Sequence, residues 1–395
     1  MKRIAILGAG TGGLIIANLL VRKLRHEIAK GNVEVSLFDI SKIYIFEAGL
    51  PLYVVGAFKE ESLTYNKINL IDPVVKFYHG EHGHVVKIDL KNRQFATAKG
   101  GVYNYDYLVL ALGVSYDPSL VKGLLDDYNT YYSYDKAKEL RSILAGFKGG
   151  VVVHLISSLE VPIKCPIAPG KFSLLLDSYL RNVKLLRNYK IIVATPTDHL
   201  HAQPEVNKVL EERFKDLGIE FIYNFEVDEV DSKNKIVKST KGDTLKYDFL
   251  ITVPPHRGPK VVHESGIGDP LGLVPVDRHT LTYRKGREQY DEVYAVGDVT
   301  NLGVAKAGSV AHYEALVVAH NIASEVLGFS DKWNFFGETI CPFLEAIYSP
   351  ASKGRGWMPW WTYGMLGRPF VGNRWAWLLL RMYYHTIPLT LRGLI

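Results

Sequence analysis

An α/β architecture, with two doubly wound parallel sheets and a separate C-terminal region, follows from three features of the sequence. The first lies at the N-terminus. Lys2-Arg3-Ile4-Ala5-Ile6-Leu7 is an apolar run of strand length that breaks into Gly8-Ala9-Gly10-Thr11-Gly12-Gly13 and resumes as the helix-length run Leu14 to Leu20. The second is a recurrence of buried strand segments, at Tyr105–Gly113, Gly150–Ile156, Lys190–Ala194, Phe249–Val253 and Asp291–Asp298, with helical stretches between several of them. That alternation builds parallel sheets. The third is a change of composition over 330–395, where five of the six tryptophans fall between Trp357 and Trp377 and no acidic residue follows Glu345.

The N-terminal segment has the order strand, glycine turn, helix that a G-x-G-x-x-G fingerprint requires. Gly8 allows the tight turn, Gly10 lets the backbone approach a pyrophosphate, and Gly13 lets helix and strand pack closely. With Thr11 and Gly12 at the start of the helix, unpaired N–H groups point at the phosphates. A second strand, Val33 to Phe38, ends at Asp39, where a carboxylate can accept hydrogen bonds from a ribose diol. A first Rossmann-like dinucleotide-binding domain is therefore expected over 1–113. A second Rossmann-like domain interrupts it over 114–285, the first resumes over 286–328, and a C-terminal region fills 329–395. The second domain lacks the fingerprint: Gly150-Val151-Val152-Val153-His154-Leu155-Ile156-Ser157-Ser158 is followed by no G-x-G-x-x-G, so it offers no turn for a second pyrophosphate.

At 395 residues the chain is too long for one ordinary core. Its start reads as a strand and not as a signal peptide, and no apolar stretch reaches the roughly 18 residues that span a bilayer. The net charge of +6 equals the six cations after Glu345: Lys353, Arg355, Arg368, Arg374, Arg381 and Arg392. These cations are interleaved with tryptophan and leucine, a poor track for nucleic-acid phosphates. Trp375 to Tyr384 is apolar on most faces and carries Arg374 and Arg381 at its ends, with Phe370 nearby, a composition suited to the membrane interface. An amphipathic, peripherally membrane-binding tail at the cell membrane is the expectation; a helix covering the first domain or a homo-oligomer interface stays open. Two cysteines and dispersed histidines give no support to a metal site.

Gly8–Gly13, the Tyr105–Gly113 strand and Tyr294-Ala295-Val296-Gly297-Asp298 together resemble the pyridine nucleotide–disulfide reductase superfamily, over about residues 1–325. The resemblance implies FAD, with Gly113, Gly297 and Asp298 among its contacts and the helix from about Ser309 facing the flavin ring. Pro162-Ile163-Lys164-Cys165-Pro166-Ile167-Ala168-Pro169-Gly170-Lys171 resembles the segment holding one redox cysteine in sulfide:quinone oxidoreductases and in the flavoprotein of flavocytochrome c sulfide dehydrogenases. Cys341, the only other cysteine, follows 176 residues later, near the position of the second family cysteine. The resemblance implies oxidation of sulfide to sulfane sulfur by Cys165 and Cys341, with Lys164 favouring a thiolate and electrons leaving through FAD to a membrane quinone. A third cysteine found in many quinone-linked members is missing from 114–164. Alternatives are a cytochrome-linked flavoprotein subunit and a non-catalytic flavin-binding assembly or sensor subunit. His199, beside His201, is a candidate proton donor to the quinone, and Phe343, Trp375 and Tyr384 are candidates to hold its ring.

Overall fold

The computed structural model describes residues 1–346, 355–363, 365–366 and 372–395. Lys353, Arg368 and Phe370 lie outside the described residues. Strand β1 (Lys2–Leu7) leads into helix α1 (Thr11–Lys23), and β2 (Val33–Asp39), β3 (Lys76–His79) and β4 (Tyr107–Leu110) follow. Helix α2 (Tyr134–Gly146) precedes the second sheet, made by β5 (Gly150–Ile156), β6 (Tyr189–Ala194), β7 (Glu220–Ile222) and β8 (Phe249–Val253). Helices α3 (Ala168–Ser178) and α4 (Pro204–Leu217) lie within it in sequence. The chain then returns to the first sheet with β9 (Thr282–Lys285) and β10 (Glu288–Ala295), followed by helix α5 (Gly308–Leu327).

The first sheet has the order β9-β10-β4-β1-β2-β3, and the second β7-β6-β5-β8. Every ladder in them is parallel except β9–β10. Such strands are covered on both faces, which is why β1 and β8 read as near-continuous apolar runs without alternation. Helix α1 packs on α5 beneath the first sheet, and Gly328 at φ +78° ends α5 in the left-handed conformation favoured after a helix.

Local details depart from the sequence pattern. The strand expected over 105–113 is only Tyr107–Leu110, because the Asp106 side chain is turned to the Arg3 N–H and Ala111 begins the turn. Helix α3 starts at Ala168, directly after the Cys165 loop. The Cys165 carbonyl accepts the Ala168 N–H at 2.7 Å, and Pro169 lies in the first turn, where its missing N–H costs nothing.

After α5 the tail folds back over both units. Short strands β11 (Thr339–Ile340), β12 (Phe343–Leu344), β13 (Gly356–Trp357) and β14 (Trp360–Thr362) pair as β11–β14 and β12–β13. Helices α6 (Arg374–His385) and α7 (Ile387–Leu391) end the chain. Buried Asn18 ties that end to α1: its amide reaches the Leu391 and Leu70 carbonyls, and its carbonyl takes the Asp72 N–H at 2.9 Å. The Asn373 side chain caps α6 by accepting from the Ala376 N–H. No helix among the described residues is long and apolar enough to cross a membrane.

Candidate active site

The glycine turn is built to leave a cradle open. Gly8 sits at φ +103°, where a Cβ would lie 2.2 Å from the Ala111 carbonyl oxygen, and a Cβ on Gly13 would lie 1.9 Å from that of Gly8. A Cβ on Gly10 would meet no protein atom within 4 Å. The first two glycines are thus required by the fold, and the third faces unfilled space. No side chain caps α1 and its first turn carries no acid, so its N-terminal field is available to a diphosphate. Thr11 is held by a 3.1 Å hydrogen bond with the Tyr44 hydroxyl, and Gly12 packs against Val296 of the later segment.

Asp39 does more in this turn than its position at a strand end announces. Its carboxylate accepts the Ala9 N–H at 2.7 Å and the Ser41 N–H at 2.8 Å, and pairs with buried Lys67 at 2.9 Å. It fixes the turn itself, with lone pairs left for a diol. Across the sheet, Gly113 and Gly297 take left-handed backbone at φ +68° and +75°. Asp298 follows, and the Lys306 ammonium secures the segment by donating to the Asp298 and Thr300 carbonyls at 2.7 and 2.9 Å. Under Gly297 lies Glu314 of α5, fully buried, one carboxyl oxygen accepting the Gly297 N–H and the other unpaired. Burial, with a smaller push from Asp298, raises its pKa to about 8.

The two cysteines come together at the junction of the two sheets and the tail. Cys165 adopts φ +53°, a conformation that costs a non-glycine residue energy and must be imposed by its surroundings. Its N–H donates to the Lys306 carbonyl at 2.6 Å. On the preceding residue, the Lys164 N–H donates to Nε2 of buried His256 at 3.0 Å and the Lys164 carbonyl accepts the Tyr132 hydroxyl at 3.0 Å. His256 Nδ1 lies 2.8 Å from the Pro254 carbonyl, which makes it the donor nitrogen and leaves Nε2 to accept; burial holds the ring neutral, with a pKa near 4. Cys341 reaches the same place from β11: the Ser309 hydroxyl at the start of α5 donates to the Ile340 carbonyl at 2.8 Å and accepts the Ile340 N–H at 3.1 Å. Cys341 is buried and Cys165 partly exposed, both as free thiols. Burial pushes the Cys341 thiol well up, the Cys165 charge pushes it further, and Lys171 pulls it down.

The cation facing the thiols is therefore Lys171. Lys164, expected in that role, is engaged elsewhere: its ammonium pairs with Glu47 at 2.5 Å and Asp298 at 3.5 Å. Because Cys165 takes a left-handed turn, the side chain just before it points to the carboxylates of the first unit. The histidine pair is likewise sorted by the fold. His199 is half-buried and bonded to Asp198, whereas His201 is buried, its Nδ1 accepting the Gln203 N–H and its Nε2 without a partner. His201 lies edge-on to Trp361 of the tail, centroids 5.8 Å apart, and burial lowers its pKa to about 4. Phe343 stacks on Trp357 at 4.8 Å, two residues from Cys341. Tyr384 is buried against Phe46 and Phe58 and feels the charges of both cysteines and Lys171, so it belongs to the thiol cluster. Trp375 stands apart, 74% exposed on the outer face of α6. Among the described residues no cluster could hold a metal ion.

Sequence reasoning missed Lys171, His256, Tyr132, Lys306 and Glu314. Lys171 had a signal, standing in the same short segment as Cys165; the others had none, since only the folded chain brings them near.

The pyridine nucleotide-disulphide oxidoreductase family profile matches residues 2–153 and 178–322. This chain belongs to that family. The unmatched interval contains the Cys165 loop and all but the last residue of α3, the place where a second dinucleotide turn is absent. The chain is 26% identical over 352 residues to a mitochondrial sulfide:quinone oxidoreductase of Dictyostelium discoideum, covering 87% of this chain and 75% of that one. It is 24% identical over 324 residues to a type II NADH:quinone oxidoreductase of Staphylococcus haemolyticus, covering 76% and 74%. The crystal structure of the Aquifex aeolicus sulfide:quinone oxidoreductase superposes with a TM-score of 0.82 at 20% identity, covering 100% of this chain and 92% of that one. The protein is an oxidoreductase whose fold, with its two Rossmann-like parallel sheets, is that of the sulfide:quinone enzyme.

Two outcomes follow from the cradle. With a dinucleotide in the cradle, Gly10→Ala should leave the melting temperature of the cofactor-free protein within about 2 °C but weaken retention of the dinucleotide on purification, read by absorption near 450 nm for a flavin; Gly13→Ala should lose the fold itself, an overpacking cost of about 3 kcal/mol or more. Glu314 links stability to pH. Its folded pKa is raised, so its contribution is present below the unfolded carboxyl value near 4.3 and is lost as pH rises towards 8. Glu314→Gln should therefore melt increasingly above wild type between pH 5 and pH 8.5; an unchanged difference across that range refutes the buried-acid assignment.

Proposed function

We propose that this protein oxidises sulfide to sulfane sulfur at the Cys165–Cys341 pair and passes the electrons through FAD to a membrane quinone. The observation that carries the reading is the meeting of the chain's only two cysteines beside the flavin cradle, at a point where the nicotinamide-type turn is missing. FAD, when bound, supplies the two-electron acceptor that reoxidises the dithiol. Gly8, Gly10, Thr11, Gly12, Gly13 and Asp39 would hold its ADP part; Gly113, Gly297 and Asp298 would hold the ribityl and ring end.

The residues divide the chemistry. In the disulfide state a hydrosulfide ion attacks the partly exposed sulfur of Cys165, forming a persulfide and releasing Cys341 as a thiolate. Cys341 is the sulfur tied through Ile340 to the N-terminus of α5, whose positive end favours that thiolate and, at the ring edge, a reduced flavin. Lys164 neutralises Asp298 and Glu47 and leaves the sulfur chemistry to Lys171.

The acceptor side is supported by the tail. Helix α6 buries Ala376, Trp377, Leu380 and Tyr384 and exposes Trp375, Leu378, Leu379 and Met382, an outward apolar face at a helix that begins with Arg374. Such a face lies in a membrane interface. The unpaired Nε2–H of His201, set against Trp361, can donate to a quinone carbonyl arriving from that side; it takes the place expected for His199, which is bonded to Asp198. Phe343 and Trp357 offer a stacking wall nearby.

Anaerobic addition of sulfide to the purified holoprotein should bleach the flavin absorption, and decyl-ubiquinone should restore it. Cys341→Ser should keep flavin and lose at least about a thousandfold in bleaching rate; wild-type protein that does not bleach rules out the sulfide reading. Replacing Trp375 and Met382 with glutamate should cut recovery on anionic phospholipid vesicles about tenfold or more without altering bleaching by sulfide, since neither side chain touches the thiol cluster.

A further inference from the structure

Lys171 is the fourth residue of α3 and is 2% exposed. A buried ammonium is costly unless an opposite charge or a set of acceptors meets it. The other buried lysines have such partners: Lys67 has Asp39 and the Ser41 carbonyl, and Lys306 has two carbonyls. The Lys171 ammonium makes no hydrogen bond and no ion pair among the described residues. The groups whose charges it feels are Tyr384, Cys165 and Cys341, each of which is anionic only after losing a proton. Burial opposes its charge, yet these three together outweigh burial and hold it protonated.

Tyr384 mirrors this situation from the tail. It is 5% exposed, its ring is fixed edge-on to Phe46 and Phe58, and its hydroxyl has no hydrogen-bond partner among the described residues. Two largely buried side chains, brought by α3 and α6 to the same pair of sulfurs, carry polar heads that no group among the described residues engages, and an anion between them would satisfy both. The anions available at a dithiol are a thiolate, a persulfide and an entering hydrosulfide, all compact and singly charged. Among the described residues no carboxylate pairs with Lys171.

We propose that Lys171 and Tyr384 form an anion seat at the dithiol, holding a hydrosulfide ion or the terminal sulfur of a persulfide beside Cys165 and Cys341. The proposal rests on the sulfide reading for the identity of the anion, and on the geometry alone for its charge. The ammonium supplies the charge and the phenol a hydrogen bond to the same ion. Because Tyr384 belongs to α6, the seat is complete only with the tail helix in place, so the helix that offers its outer face to lipid carries on its inner face a wall of the sulfur site.

The charge can be tested without sulfide. In the reduced, flavin-loaded full-length protein, Cys165 is the partly exposed thiol, and its alkylation by iodoacetate and by the neutral iodoacetamide can be followed by mass. Lys171→Met should lower the iodoacetate-to-iodoacetamide rate ratio about tenfold, the effect of about one pKa unit of charge interaction, and Lys171→Arg should restore most of it. Flavin absorption and melting temperature confirm that each variant is folded; Tyr384→Phe, which preserves the ring packing, keeps the test open should Lys171→Met fail to fold. In anaerobic bleaching, Lys171→Met and Tyr384→Phe should each raise the half-saturating sulfide concentration, Lys171→Met by about tenfold. An alkylation ratio and half-saturating concentration unchanged in Lys171→Met and Tyr384→Phe overturn the seat while leaving the sulfide reading intact. A ratio that falls in Lys171→Met although sulfide never bleaches the wild type retains the seat and removes the sulfide reading.

Discussion

The hydrogen bond from the Cys165 N–H to the Lys306 carbonyl, 2.6 Å long, is the contact on which the centre of this molecule depends. It joins a loop of the second sheet to the segment that follows the last strand of the first. Cys165 takes a left-handed backbone that its side chain disfavours, and the bond to Lys306, the imidazole acceptor of His256 and the phenol of Tyr132 together hold it there. The consequences spread in both directions. Lys164 is thrown towards Glu47 and Asp298, the carbonyl of Cys165 starts α3, and α3 then delivers Lys171 to the sulfurs. Lys306 meanwhile secures the Asp298 turn with its own ammonium. One strained residue thus sets the cofactor side and the thiol side in fixed relation.

What could be read in the sequence was what local chemistry decides. Gly8, Gly10 and Gly13 were legible because each answers to a backbone demand within a few residues of itself, and the structure gives the same three distinct environments: a left-handed turn, an open face and a backbone contact. The alternation of strands and helices was legible because buried parallel strands carry their burial on both faces. The choice between Lys164 and Lys171 was not, since it turns on the sign of one φ angle. Nor was the choice between His199 and His201, which lie two residues apart in a loop whose faces are defined only by where Trp361 arrives from the tail. Glu314 was invisible because an acid within a helix looks like a surface residue until the opposing sheet covers it.

The tail is the least local part of the design. Helix α6 leaves its outer face exposed among the described residues and has two obligations on its inner one, packing through Trp377 and Leu380 and enclosing the cysteines through Tyr384. Its cap comes from Asn373, and its end is tied by α7 to Asn18 and Arg22 of α1, a contact across almost the whole chain. A helix fastened at both ends in this way keeps its inner face in register while its outer face is left to the medium.

The interrupted first sheet orders the protein's birth on the ribosome. Strands β1 to β4 and α1 emerge first, but their sheet is completed by β9 and β10, nearly three hundred residues into the chain. Cys165 leaves the ribosome with no sulfur to meet, and Cys341 follows only after both sheets have been synthesised. Contacts so distant in sequence close slowly, and the last of them, between α7 and α1, draws the tail across the finished thiol pair. A disulfide between these cysteines is thus a late event in synthesis: no nascent chain shorter than 341 residues contains both of its halves.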